Sequence, residues 1–180
     1  MQNSINHYPP APPSKGKINV KQKPKRLKDK ITKAQKSLYF EMVDNNIETY
    51  GYHITYILEE NDFTPFGYST GLYKNFGIPE VFVSGLPNGL SNTLITNYAE
   101  AFKGQRVPLN QKLSELIDRF PVYIIPVKNE ALNQKTLSTF RLYQNDHFES
   151  VQIIFPDLAG KFPEEPGYDY DQEILGDLLN

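Results

Sequence analysis

The stretch "FGYSTGLYKNFGIPEVFVSGLP", from Phe66 to Pro87, sets four glycines and two prolines between short apolar runs of β-forming residues. Punctuation this dense rules out a long helix and confines the segment to short strands joined by tight connections. Glycine belongs where φ is positive or where another backbone comes close, and proline where φ is fixed and an N–H is dispensable. Two demands could place the glycines here: the chain's own turns, or room for a ligand.

The neighbouring patterns extend this frame in both directions. Upstream, "TYGYHITYILEE" has a period of two, with Tyr50, Tyr52, Ile54, Tyr56 and Leu58 on one face of a strand and His53, Thr55 and Ile57 on the other. "FGYSTGL" and "EVFVSGLP" follow as second and third strands, with "YKNFGIP" as the loop between them, and such short connections suit antiparallel neighbours. Before them, "SLYFEMVDNN" reads as a helix with Leu38, Met42 and Val43 on one stripe, ended by Asn45-Asn46.

Downstream, "NGLSNTLITNYAEAFKG" is the clearest helix. Ser91 or Asn92 can cap it, Leu94, Ile95, Tyr98 and Phe102 give its apolar face, and Gly104 stops it. "NQKLSELIDRF" predicts a second short helix ended by Pro121, "VYIIPV" a central strand, "ALNQKTLSTFRLYQND" a third helix on Leu132, Leu137, Phe140 and Tyr143, and "ESVQIIFPD" the last strand. A loop, "LAGKFPEEPGYDYD", and a C-terminal stub complete the chain. After the N-terminal helix the order is β-β-β-α-α-β-α-β, which predicts an α+β fold: a mixed, largely antiparallel sheet with helices packed on it.

Length and charge divide the chain. With 180 residues, 39% of them hydrophobic, it can bury one ordinary core. Residues 1–36 hold ten Lys and Arg against one acid, and residues 37–180 hold nine against twenty. The expectation is a disordered, Pro-rich and basic tail over 1–36, in which "YPPAPP" offers little to bury, followed by a single domain over 37–180. The longest apolar runs are strand-sized and far below the roughly 20 residues of a membrane span. The first residues lack the apolar core of a signal peptide, so the expected location is cytoplasmic.

Cysteine is absent, which removes disulfides, thiolate nucleophiles and sulfur-ligated zinc. No cofactor is implied: neither G-x-G-x-x-G nor a GK[ST] terminus occurs. Metal is not expected either, because His53 and His147 lack a ligand partner at helical spacing, and a composite of His53, Asp62 and Asp157 rests on residue type alone. Ser69, Thr70 and Ser84 have the chemistry of nucleophiles, but "VSGLP" lacks the glycine two residues before Ser84 that an elbow requires.

The candidate ligand pocket comprises Tyr68, Ser69, Thr70, Glu80 and Asp157, which come together if the strand ends bearing Glu80 and Asp157 converge. The same carboxylates could instead staple loops by accepting N–H groups. Tyr168 and Tyr170, in the acidic "EEPGYDYDQE", are expected to be exposed and are candidates for contacting a protein partner. The basic arm, with Lys23, Lys25, Arg26, Lys28 and Lys30, can meet phosphates of nucleic acid, although it has no interleaved aromatics for stacking and the acidic body would repel a duplex.

Three ordered blocks, "FGYSTGL", "GIPEVFVSGLP" and "VQIIFPDLAGKFPEEPGYD", resemble the pattern of the bacterial and phage domain-of-unknown-function family 4262, over about Tyr50 to Asp169. The chain departs from that pattern where the family often has His before Pro-Glu, here Ile78, and where it often has Trp near Gly51 and in the last block. The resemblance implies no agreed activity. Two classes of function follow from the residues: a small interaction protein, such as an immunity or counter-defence partner, that binds another protein through its acidic body; or a ligand-binding protein or hydrolase using Tyr68, Glu80 and Asp157.

Overall fold

A computed structural model describes residues 32–61, 63–144 and 147–179. Of the tail expected over 1–36, residues 1–31, and with them Lys23, Lys25, Arg26, Lys28 and Lys30, lie outside the described residues, as does Asp62. Lys33 and Lys36, which the sequence groups with the basic arm, stand in the first turns of a helix.

That helix, α1 (Lys33–Tyr50), leads into β1 (His53–Ile57), β2 (Phe66–Thr70), α2 (Leu72–Phe76), β3 (Glu80–Ser84) and α3 (Asn88–Phe102). There follow β4 (Lys112–Leu113), β5 (Val122–Val127), α4 (Asn129–Leu132), α5 (Leu137–Tyr143) and β6 (Ser150–Ile154). The sheet runs β1-β2-β3-β6-β5-β4. Among the described residues only β3 and β6 pair in parallel; every other neighbour is antiparallel. This is the mixed α+β sheet that the alternation of patterns predicts.

Strands β3 and β6 are buried along their whole length, and β5 at every residue but Pro126, because both faces of the sheet are covered. Val81 and Val83, Val122 and Ile124, and Val151 and Ile153 meet Leu94, Ile95 and Tyr98 of α3. On the opposite face, Phe66, Tyr68 and Phe82 pack with Leu132 and Phe140, while Tyr123, Ile125 and Ile154 pack with Phe162.

The C-terminal stub is a strap across that second face. Gln152, fully buried in the middle of β6, accepts Leu175 N–H at 2.9 Å and donates to Glu173 C=O at 2.6 Å, and Ser84 Oγ accepts Glu173 N–H at 3.2 Å. Gly85 makes room for the strap: its φ is +82°, and a Cβ there would stand 2.3 Å from the carbonyl oxygen of Asp171. Gly67 likewise faces Ser91 and Ile95 of α3. These glycines of the Phe66–Pro87 stretch therefore admit the chain's own backbone and helix.

Several expectations are corrected. "NQKLSELIDRF" is not a helix; Lys112 and Leu113 pair with β5, and Leu116 and Ile117 reach the core from irregular backbone held by Asn97, whose Nδ2 donates to Leu116 C=O at 2.7 Å. The third helix is two short ones, broken before Thr136, and its expected core residue Leu137 is exposed. "YKNFGIP" holds α2 rather than a plain loop. In α1 the buried residues are Val43 and Ile47, while Leu38 and Met42 point to solvent. β1 ends at Ile57, so Leu58 is exposed and Tyr50 lies outside the strand. Helix α3 starts at Asn88 with Pro87 before it and no side-chain cap from Ser91 or Asn92.

Candidate functional site

The β2–β3 ladder stops at the pair Tyr68 and Phe82, and the next residues replace backbone bonds with side-chain bonds. Ser69 Oγ accepts Val81 N–H at 2.9 Å and donates to Glu80 Oε2 at 2.5 Å. Glu80 Oε1 accepts Gly71 N–H at 2.7 Å, Tyr73 N–H at 3.2 Å and the Tyr143 hydroxyl at 2.5 Å. All four partners are donors, so the geometry suits an ionised carboxylate. Burial opposes that charge and outweighs the donors, so that the carboxyl titrates above its usual range.

Around Glu80 the sheet and α5 are joined by hydroxyls. Thr139 Oγ1 donates to Ser69 C=O at 2.9 Å and lies 2.9 Å from Thr70 Oγ1. Ser138 Oγ lies 2.8 Å from the Tyr68 hydroxyl and 3.4 Å from Thr55 Oγ1, which in turn meets the Tyr39 hydroxyl at 2.8 Å. Thr139, which weakens the helical pattern of this segment, is thus with Ser138 its docking face. Ser138, Thr139 and Tyr143 are the residues that sequence reasoning missed, and the only signal for them was that run of hydroxyl residues at helical spacing.

Tyr68, Ser69, Thr70 and Glu80 do come together, but they enclose little. The cavity that Tyr68, Ser69 and Glu80 share with Thr136, Thr139 and Ser150 has a volume of about 10 Å3, space for one water at most. Ser69, Thr70 and Ser84 are buried, and Ser84 Oγ is occupied by the C-terminal strap.

Asp157 is not brought to this cluster. Glu80 stands beside Ser150 at the start of the parallel β3–β6 pair, and Asp157 lies beyond the far end of β6, roughly 20 Å along the sheet at ~3.3 Å per residue. Its Oδ1 accepts Ala159 and Lys161 N–H, each at 2.9 Å, and Oδ2 accepts Asp169 N–H at 3.1 Å. Partial burial works against the charge, but the backbone donors from Lys161, Asp169 and Ala159, with the Lys161 charge, hold this carboxyl below its usual range.

The loop that Asp157 closes contains the two candidate tyrosines, and neither stands free as expected. Tyr170 packs edge-on against Phe155 at 5.6 Å and joins the core, because the strap draws its ring inward. The half-buried Tyr168 hydroxyl accepts Gln172 Nε2 at 2.8 Å, and burial raises its pKa. Leu158, in contrast, is 98% exposed at the tip of the loop. It borders an open groove of about 420 Å3 lined by Leu86, Leu90, Arg119, Phe120, Phe155 and Tyr170, just outside the carboxyl ends of β3 and β6.

His53 Nδ1 meets Asn46 Nδ2 at 2.9 Å, and burial lowers its pKa. Among the described residues no group of three or more His, Cys, Asp or Glu is placed to hold a metal ion, and no helix is long and apolar enough to cross a membrane.

A family profile described as a domain of unknown function, DUF4262, matches residues 46–169. The chain belongs to this family. The matched span runs from the end of α1 through the Glu80 cluster to the loop closed by Asp157. No curated protein and no solved structure matches the chain.

Proposed function

We propose that this chain is a protein-interaction module that binds a basic partner through its acidic body, with the Leu158 loop and the adjoining groove as the contact surface. The observation behind this reading is Leu158 itself: a leucine side chain 98% exposed beside an open apolar groove. Interfaces favour such an apolar centre within a polar rim. The loop that carries Leu158 is acidic: Glu164, Glu165, Asp169 and Asp171 are exposed along it. Only two ion pairs, Lys135–Glu173 and Arg141–Asp44, form among the described residues, so the remaining carboxylates are left to attract an opposite charge.

The alternative, a small ligand or substrate held by Tyr68 and Glu80, has little support from a cavity of about 10 Å3 whose polar groups are largely engaged by the chain itself. The test immobilises the full chain and a Leu158→Asp variant, identifies what each retains from extracts of the native host, and titrates the purified candidate against both. A protein bound in fixed ratio by the parent, lost from Leu158→Asp and weakened by salt supports the reading. Equal binding to both chains, or retention of a small metabolite alone, overturns it.

A further inference from the structure

Asn88-Gly89 is the one Asn-Gly pair in the chain, and both residues are exposed in the first turn of α3. An asparagine followed by glycine is the pairing most open to attack on its own side chain, because glycine has no Cβ to shield its nitrogen and turns freely about its backbone. The surroundings do not shield it either: a Cβ built on Gly89 would meet nothing within 4 Å. The Gly89 N–H belongs to the helix start, where no intrahelical carbonyl accepts it. Among the described residues no hydrogen bond holds the Asn88 side chain. Helical backbone at Asn88 keeps the Gly89 nitrogen from Cγ until the turn opens, and this end has no side-chain cap to keep it closed.

We propose that Asn88 is a site of spontaneous deamidation. Hydroxide takes the Gly89 amide proton, and the nitrogen attacks Asn88 Cγ. The new C–N bond closes a succinimide ring as the Cγ–Nδ2 bond breaks and ammonia leaves. Water then opens the ring at either carbonyl: breaking the bond to Cγ leaves aspartate, and breaking the bond to the main-chain carbon leaves isoaspartate. The sum is one water consumed and one ammonia released, with no oxidant or cofactor. Aspartate sets a carboxylate at the positive end of α3, whose first turn holds no acid, so the helix favours this product. Isoaspartate routes the main chain through Cβ and lengthens the first turn by one carbon. Either product adds a negative charge between Leu86 and Leu90, two residues that line the groove beside Leu158. An effect on docking rests on the interaction reading above; the modification itself does not.

The experiment keeps the full chain for days in a warm, mildly alkaline buffer, then digests it beside an unaged sample and weighs the peptide that spans Asn88. That peptide is expected to gain the difference between an NH2 and an OH group, in two separable forms, of which the isoaspartate form accepts a methyl group from an isoaspartyl methyltransferase. Asn92, exposed in the same helix but followed by Thr93, is expected to keep its amide. Gly89→Ala is expected to lose the mass gain while keeping the circular dichroism and melting of the parent, since its Cβ has room and alanine favours a helix. An Asn88 peptide of unchanged mass, equal conversion at Asn92, or equal conversion in Gly89→Ala would each overturn the proposal. None of these measurements needs a partner, so a failure here is distinct from a failure of the interaction reading.

Discussion

Replacing Glu80 by alanine removes the acceptor for four donors at once: the N–H groups of Gly71 and Tyr73 and the hydroxyls of Ser69 and Tyr143. Ser69 and Gly71 are buried, so neither can turn to water, and each stranded donor costs about 1–3 kcal/mol. Tyr73 and Tyr143 lie nearer the surface and lose less. Removing the charge returns part of this cost, because burial already disfavours the ionised carboxyl. A net loss of about 3 kcal/mol is expected, which lowers the melting temperature of a chain this size by about 6–12 °C. Glu80→Gln keeps the Oε1 acceptor but sets an NH2 group against Ser69, and is expected to lose about half as much. Thermal and urea melts of the two variants measure both losses. A Glu80→Ala chain that melts within about 2 °C of the parent would refute the assignment of Glu80 as the staple of this end of the sheet.

Other consequences follow from the second face. Gln152→Leu removes the acceptor for Leu175 N–H and the donor to Glu173 C=O, so residues 171–179 are expected to exchange amide hydrogens and to be cleaved by protease faster, while α3 keeps its protection. Burial holds His53 below its ordinary pKa of 6.5, so it is neutral in the fold while the unfolded chain takes up a proton. The stability it contributes is present above pH 6.5 and is lost as the pH falls below it. Melts between about pH 7.5 and 5.5 should therefore fall more steeply for the parent than for His53→Gln, and parallel slopes would contradict the neutral buried ring.

Much of the fold was legible because hydrophobic period depends on local geometry. Strands β2, β3, β5 and β6 and helix α3 are where alternation, apolar runs and the spacing of Leu94, Ile95 and Tyr98 place them. "NQKLSELIDRF" misled because Leu113, Leu116, Ile117 and Phe120 satisfy helical spacing equally well from a short strand and irregular backbone, once β5 offers its edge to pair. In the site, the part legible in sequence was Glu80 as a carboxylate that opens a strand and can accept loop N–H groups.

Nothing local could reveal that Asp157 lies at the far end of the sheet from Glu80, because that depends on β3 and β6 pairing in parallel rather than meeting end to end. The same holds for Tyr143, which reaches Glu80 across 63 residues of sequence, and for the strap that fills the space over Gly85. Side-chain period and backbone freedom within a few residues set the strands, the main helix and the need for glycine at the turns, and composition sets the charge asymmetry, so all of these can be read without the fold. Tertiary structure alone decided which backbone each glycine admits, which carboxylates share a neighbourhood and which leucines stay in water, because those depend on contacts between segments whose separation in sequence says nothing of their distance in space.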